Sequence, residues 1–539
     1  MAGRDERRQR GVKRLARAVT MPPARVLGKA VPAWRVAPSR RSTYARRVRR
    51  QNWVWHGLAA CALLWHGCAR ETPPAFVAMP NAVGRVHVSV IDPETGSPLA
   101  CKLLLSATPA ELTPDYGSSS MIGEWLAPHA LGSGNAVYGD PCDFELELPA
   151  VQVHIQASQG IERELAQADL TVRPGTQQVR LELARALNTH GYACADFHVH
   201  SAPSFDSDVP LDQRLISAVA EGLDAIAPTD HEALGDWDAE IARMNMADEL
   251  TLVLGNEVTP DQWATPQTIG HFGVFPVPRD FDAHDHELTW QSPAGLLERL
   301  DTLYPDSVIQ VNHPRWGGIG LLSVAGFNPL DPKLDQRLGL SHVDAIELWN
   351  SHEVDATGGT PIETTLRDFY ALLDFGVALV ATGNTDTHEL SRHPLGYPRN
   401  CIQVLNDGHP GLTPEAVTDG VALGRVTVTS GPWLEVSFAG HGPGELAVRP
   451  AAPVLDVLVD AASWVPVDRV HVVVNGHTVA TREIRALPSQ LHVPLELSSA
   501  LSYIMVLAEG DAPLPSLAGV LHAPQRSFAF SNPIWVQAP

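Results

Sequence analysis

The chain is 539 residues long, with 44% hydrophobic residues and a formal net charge of −22. That length sets a prior of about three domains, with ample sequence for a full core. The charge is uneven: residues 1–50 carry 16 Lys and Arg against 2 acids, leaving 23 against 59 in the rest, and so acidic a body repels phosphate backbones and argues against a nucleic-acid partner.

The basic leader runs through Arg46-Arg47 and Arg49-Arg50 into Trp53–Trp65, a mostly apolar stretch of 13 residues. It is too short to cross a bilayer as a helix and has the order of a bacterial export signal. Cys61 follows the cleavage-type triplet Leu58-Ala59-Ala60, and Cys68 follows a better-placed apolar run. Residues 1–70 are therefore expected to direct export, to the periplasm or to a membrane anchor through a lipidated Cys68 or Cys61. The alternative is a cytoplasmic protein with a disordered basic tail, or a true start codon farther along. Residues 71–85, rich in Pro and Ala, read as a linker.

From residue 86 to 190 the pattern is short alternating strands: RVHVSVID, a turn at Pro93-Glu94-Thr95-Gly96, ACKLLLSA, DFELELPAVQVHIQA and QQVRLELAR. This predicts a β-sandwich, and its opening resembles the carboxypeptidase-regulatory-like and transthyretin-like modules of exported proteins. Cys101 and Cys142 both fall in it, and an exported chain permits a disulfide between them. Cys194, just before the next strand, is expected to be a buried apolar filler.

Between residues 191 and 430 strands alternate with helices. Leu211, Leu215, Val219 and Leu223 share one helical face, and further helices are expected over Asp236–Leu250, Pro293–Tyr304 and Glu363–Phe375. The pattern implies a parallel β/α barrel within a multidomain α/β protein. Residues 431–539 return to strands, with a hairpin signal at Asn475-Gly476, and predict a second β-sandwich packed on the barrel.

The chemistry sits at strand ends. His198 and His200 close an apolar run, and alternation turns both imidazoles to one side without backbone contortion. Asp206 and Asp208 follow in the next turn, and Asp230-His231 comes after a helix. LTLVLGNE ends on Glu257, VIQVNH on His313, and VALVATGNTDTH on Asp386 and His388. Repeated endings of this kind bring strand ends to one locus, where barrel-type α/β folds build active sites. Imidazole with carboxylate, and no cysteine, suits Zn, Mn or Fe. Paired ions about 3.5–4 Å apart lower the pKa of a bridging water, so no separate nucleophile is required. The sequence has neither a G-x-S-x-G elbow nor a Gly-rich phosphate loop.

Taken in this order, H-x-H, the acidic turn, T-D-H, G-x-E, N-H-P and D-x-H make Ala195–His388 resemble the PHP (polymerase and histidinol phosphatase) superfamily of metallohydrolases. The flanking sandwiches, with VTVTSGPWLEV and AFSNPIWV, resemble the branch that includes carbaryl hydrolase, which cleaves an aryl carbamate. The resemblance implies a PHP-type distorted β/α barrel between N-terminal and C-terminal β-sandwich domains, holding two or three divalent metal ions. It makes His198, His200, Glu257 and Asp386 ligands of the first ions, with Glu257 able to bridge. Asp206, whose spacing suits the family pattern better than that of Asp208, and His231 would serve a further ion, and His271, His313 and His388 would complete the shells.

The function so implied is an exported hydrolase that turns a metal-bridged hydroxide on a small-molecule ester, amide or carbamate, with Glu257, Asp386 and Arg315 as its catalytic residues. Arg214 is the only cation between Asp196 and His231, and the strand ends add only Arg315, a poor complement for phosphate. Arg315 and Trp316, directly after His313-Pro314, are placed to touch substrate, a salt bridge being the equal alternative for Arg315, and Trp316 and Trp349 are expected close to ligand-bearing strand ends. A phosphoesterase is the alternative, and a non-catalytic surface binding protein a further one. His284-Asp285-His286 repeats the H-x-H form in a polar loop, and His342, His352 and His393 are expected to be solvated or capping.

Overall fold

The computed structural model describes residues 82–117, 130–259, 270–282, 292–330, 338–351, 361–390, 393–407, 411–515, 517 and 525–539. The leader with Cys61 and Cys68, the His284-Asp285-His286 stretch and His352 lie outside these residues. The protein is a mixed α/β structure, rich in strands arranged in several sheets. No helix among the described residues is long and apolar enough to cross a membrane.

At the N-terminal end, Val83–Ile91 pairs with Asp143–Pro149 and Thr176–Glu182. A second sheet runs through Ala130–Ser133, Ala136–Gly139, Cys101–Thr108, Gln152–Ser158 and Ala166–Thr171. Alternation along Val83–Ile91 buries Val86, Val88 and Val90, which meet Leu103, Leu105, Val153 and Ile155 of the second sheet, as period-2 patterning on facing sheets requires. The disulfide Cys101–Cys142 joins the two layers.

The central region is built from two sheets that close on each other. In the first, Tyr192–Val199, Ala225–Pro228 and Thr251–Leu252 are parallel neighbours. In the second the order is Asn256–Val258, Phe272–Phe275, Val308–Val311, Ala345–Asn350 and Val380–Asn384. Two isolated bridges, Val199 with Thr387 and His231 with Glu257, stitch the sheets into a ring. Phe197 and Phe275 stack inside it at 4.9 Å, and most of the largest apolar cluster packs around them. The expected all-parallel order is not what forms: Phe272–Phe275 runs antiparallel to both neighbours. The chain leaves Glu257 and returns at His271 in the opposite direction, so both residues lie at the same end of the ring.

The helix expected over Asp236–Leu250 spans Trp237–Met244, because Asn245 takes a left-handed conformation (φ 57°) that ends it. Cys194 is not a filler. It lies directly opposite Cys401 on the antiparallel strand Arg399–Gln403 and is disulfide-bonded to it, a contact between residues 207 apart that no local pattern announces.

The C-terminal strands do more than pack against the ring. Val426–Thr429 pairs with both Arg399–Gln403 and Phe528–Ser531, so one sheet continues from the His198 strand through Leu501–Glu509 and Arg469–Val474 to His477–Glu483. The strands Trp433–Phe438, Val454–Asp460 and Ser489–Pro494 cover one face of that extension around Leu434, Val457, Val472 and Val506.

Candidate metal centre

One of the two bridges that close the ring is made by His231 and Glu257 themselves, and the other, between Val199 and Thr387, lies between neighbouring candidate ligands on both strands. The Asp386 N–H donates to the His198 carbonyl (2.9 Å), the His200 N–H to the Thr387 carbonyl (3.1 Å), and the Glu257 N–H to the Asp230 carbonyl (3.3 Å). Closing the ring therefore converges its polar strand ends. His313 and Asp386, each two residues past a strand, have positive φ of 26° and 54°, a strained state for side chains with a Cβ that the surrounding contacts must hold.

The structure brings together all nine side chains singled out as ligands. They form four overlapping groups whose donor atoms lie within 4.8 Å of one another: His200, Asp206, His231 and His388; His198, Glu257 and His313; His198, His200 and Asp386; and His231, Glu257 and His271. A further group, Glu162, Cys194 and Asp224, is unsuitable because the Cys194 sulfur is bonded to Cys401. Asp206 joins the cluster, whereas Asp208 is exposed outside it.

Glu257, 1% exposed, is central. Its Oε2 lies 3.2 Å from His198 Nε2, 3.3 Å from His200 Nε2 and 3.3 Å from His231 Nδ1. Its Oε1 lies 3.2 Å from His271 Nδ1 and 3.3 Å from His313 Nε2, and accepts from Asn312 Nδ2 at 2.9 Å. Asp386 Oδ1 stands 3.1 Å from His198 Nε2 and 3.2 Å from His200 Nε2. Two ligands each about 2.0–2.2 Å from one ion are themselves roughly 3.0–3.5 Å apart, so these spacings fit shared ions. The buried atoms His200 Nε2 and His231 Nδ1 have no directional hydrogen-bond partner despite that proximity, which a lone pair aimed at a cation explains. The donor set, imidazole and carboxylate, fits divalent Zn, Mn or Fe.

The opposite ring nitrogens are held from behind. His198 Nδ1 donates to Glu347 Oε1 (3.0 Å), His200 Nδ1 to Ser204 Oγ (3.1 Å) and His388 Nδ1 to the Asp386 carbonyl (2.8 Å), which leaves each Nε2 lone pair facing the cluster. Ser204 also donates to Asp206 Oδ1 (2.8 Å) and accepts the His231 N–H (3.1 Å). Asp196 accepts from the Thr385 hydroxyl at 2.5 Å and from the His198 N–H at 3.2 Å, tying the two ligand-bearing strands together.

Charge is arranged accordingly. Burial acts to raise the Glu257 carboxyl, but His198, His231 and His271 around it hold it well below the usual range. Burial pushes the His200 imidazole down to about 4, with His388 adding to the effect. For His231 burial is outweighed by Glu257 and Asp206, which lift it to about 9. For His198 burial is likewise outweighed, by Asp386, Glu257 and Glu347, and its value rises well above the ordinary one.

Two expectations are corrected, for Arg315 and for Trp349. Arg315, expected at the substrate, forks onto Asp368 (Nε to Oδ2 2.5 Å, Nη2 to Oδ1 2.9 Å) and donates to the Phe327 carbonyl; a buried carboxylate outcompetes an open mouth for a guanidinium. Arg214 is fully buried and clamps the His200 carbonyl at 2.7 Å. Trp349 is 3% exposed and packs edge-on to Phe528 in the core. Trp316 does stand beside the cluster, 5.7 Å from His313 ring to ring. His342 binds Asp301 (2.8 Å), away from the centre.

Sequence reading passed over Glu347, Ser204, Asn312 and Phe205. Phe205 is 60% exposed with its ring 4.8 Å from that of His231. An aromatic directly before Asp206 in a polar turn was the available signal for it, whereas Glu347 is hidden inside the apolar run AIELWN.

No protein-family model matches the chain, and no curated protein matches it. Solved structures similar to it include a beta-glucuronidase of Bacteroides uniformis and beta-glucuronidase 2 of the same organism covalently bound to cyclophellitol-6-carboxylate aziridine. Each is 10% identical over 82% of this chain and 58% of the other, with a TM-score of 0.16. The chain spans little more than half of each of those structures, and a likeness at that score carries no argument about fold or function.

Proposed function

We propose that this protein is an exported metal-dependent hydrolase of the PHP type, its closed ring of strands a distorted β/α barrel, acting on a small ester, amide or carbamate. The observation that carries the reading is Glu257, one buried carboxylate whose two oxygens face two sets of imidazoles, as a ligand shared between ions does. His198, His200, Glu257 and Asp386 would hold the inner ions and Asp206, His231 and His388 a further one, with His271 and His313 on the Oε1 side of Glu257. Divalent ions bound there would supply an activated water and polarise the oxygen of the bond to be cut.

The chain's own residues orient and select. Asp206 and His388, with side chains 30% and 23% exposed, mark the open rim. Phe205 and Trp316 flank it with apolar surface. The two arginines nearest in sequence are spent on Asp368 and on the His200 carbonyl, so neither is free to clamp a phosphate, and a neutral carbonyl substrate is the better complement. Export is supported by the two buried disulfides, which belong to an oxidising compartment. Attachment through Cys68 or Cys61 predicts membrane-associated processing that globomycin blocks.

Metal-reconstituted enzyme assayed on an aryl carbamate or ester and on an aryl phosphate of the same leaving group tests the bond. A preference for the carbonyl substrate is expected. A preference of about 10-fold or more in kcat/KM for the phosphate, about 1.4 kcal/mol in transition-state binding, would replace this reading with a phosphoesterase. Phe205→Ala should raise KM for the aryl substrate while leaving the ion count unchanged.

A further inference from the structure

Glu347 is 1% exposed and belongs to none of the candidate ligand groups. It lies on Ala345–Asn350, between the strand that leads to His313 and the strand that leads to Asp386. Its two oxygens accept four hydrogen bonds. Oε1 takes the His198 Nδ1–H (3.0 Å) and an Asn384 Nδ2–H (3.0 Å); Oε2 takes the His313 main-chain N–H (2.6 Å) and an Asn350 Nδ2–H (3.1 Å). The same Asn350 amide nitrogen also donates to Asp386 Oδ2 at 3.1 Å.

We propose that Glu347 is the positioning residue of the metal centre, fixing the tautomer of His198, the strained backbone of His313 and, through Asn350, the carboxylate of Asp386. The inference rests on the metal-centre reading above. Four donors converge on an acceptor with four lone-pair sites, which only an ionised carboxylate satisfies in full. With Nδ1 protonated toward Glu347, His198 presents a lone pair on Nε2, the atom 3.1 Å from Asp386 and 3.2 Å from Glu257. With its N–H held by Oε2, His313 keeps the φ of 26° that turns its ring inward.

Glutamine at this position would carry two donors where the site offers only donors. If its amide faced His198, the imidazole proton would have to move to Nε2 and block an ion. If it faced His313, a main-chain N–H that cannot change its role would meet another N–H. A structural role alone predicts lost stability. A positioning role predicts, in addition, altered ion binding.

The test loads full-length protein with Co²⁺ and reads stoichiometry, affinity and the visible spectrum for wild type, Glu347→Gln, Glu347→Asp and Thr382→Val. Thr382 donates to Gln310 Oε1 (2.7 Å) in the same core, and Gln310 and Asn312 stand between it and Glu257, so its loss weakens buried hydrogen bonding two side chains away from the ligands. Co²⁺ affinity should fall by about 10-fold or more in Glu347→Gln, with shifted visible bands, and recover in part in Glu347→Asp. Thr382→Val should lower Tm without moving affinity or bands. Wild-type affinity and spectrum in Glu347→Gln overturn the proposal; should that variant not fold, the same result in Glu347→Asp overturns it. Absence of Co²⁺ binding by the wild type overturns the metal-centre reading itself, and this inference with it.

Discussion

The ammonium of Lys102 lies 2.5 Å from the carboxylate of Glu221, and both side chains are fully buried. Lys102 belongs to the N-terminal sandwich and Glu221 caps the helix Leu211–Ala220 of the central ring, so the pair joins the two. Tyr138 of the same sandwich donates to the carbonyl of Leu390, two residues beyond His388 (2.8 Å). The sandwich is thus part of the wall behind the candidate centre.

Lys102→Met leaves a buried carboxylate without its partner and should cost about 3–5 kcal/mol, whereas the paired replacement Lys102→Met with Glu221→Leu should recover most of that loss. Urea unfolding midpoints decide it. A single variant no less stable than the double one would show that the pair does not hold the sandwich to the ring.

Asp206 receives the Ser204 hydroxyl and faces His231 and His388 through Oδ2 at 3.2 and 3.1 Å, while Asp208 points to solvent. Asp206→Asn should therefore lower ion content and reduce hydrolysis by about 10-fold or more, and Asp208→Asn should leave both within a few fold. Plasma emission analysis with the aryl-substrate assay checks the ranking. The reverse order would move the ligand two residues along.

Ion binding requires neutral imidazoles, yet in the ion-free cluster His231 holds its proton up to about pH 9 against an ordinary 6.5, and the facing carboxylates raise His198 and His388 as well. Each ion that enters must displace these protons, so its dissociation constant should fall by about tenfold per pH unit per proton released. The rise in affinity should continue from pH 6 through pH 8. Competition with a chelator across that range would show the opposite if affinity levelled off near 6.5.

By itself the sequence determined which strand-end side chains converge. A residue at the end of an apolar run is carried to the rim of whatever sheet that run joins, and period-2 alternation sets the side it faces. His198, His200, Glu257, His313 and Asp386 could be read this way because their signal is local. The alternating strands of both outer modules were legible for the same reason, whereas the Cys101–Cys142 pair was suggested only by both cysteines falling in one module of an exported chain.

What only the tertiary structure decided are contacts between residues far apart in the chain. Cys194 meets Cys401 and Arg315 meets Asp368 across strands or elements that no periodicity links. Spacing already favoured Asp206 over Asp208, and the tertiary structure adds the contacts to Ser204 and His388 that hold its carboxylate. Glu347 is the clearest case. In the run AIELWN it is one polar residue on a buried strand, and its role arises from four donors that arrive from the His198 strand, the turn after Val311, the end of Val380–Asn384 and its own neighbour Asn350. A buried carboxylate is tolerated only where such partners meet it, and their meeting is a property of the closed ring rather than of any one stretch of sequence.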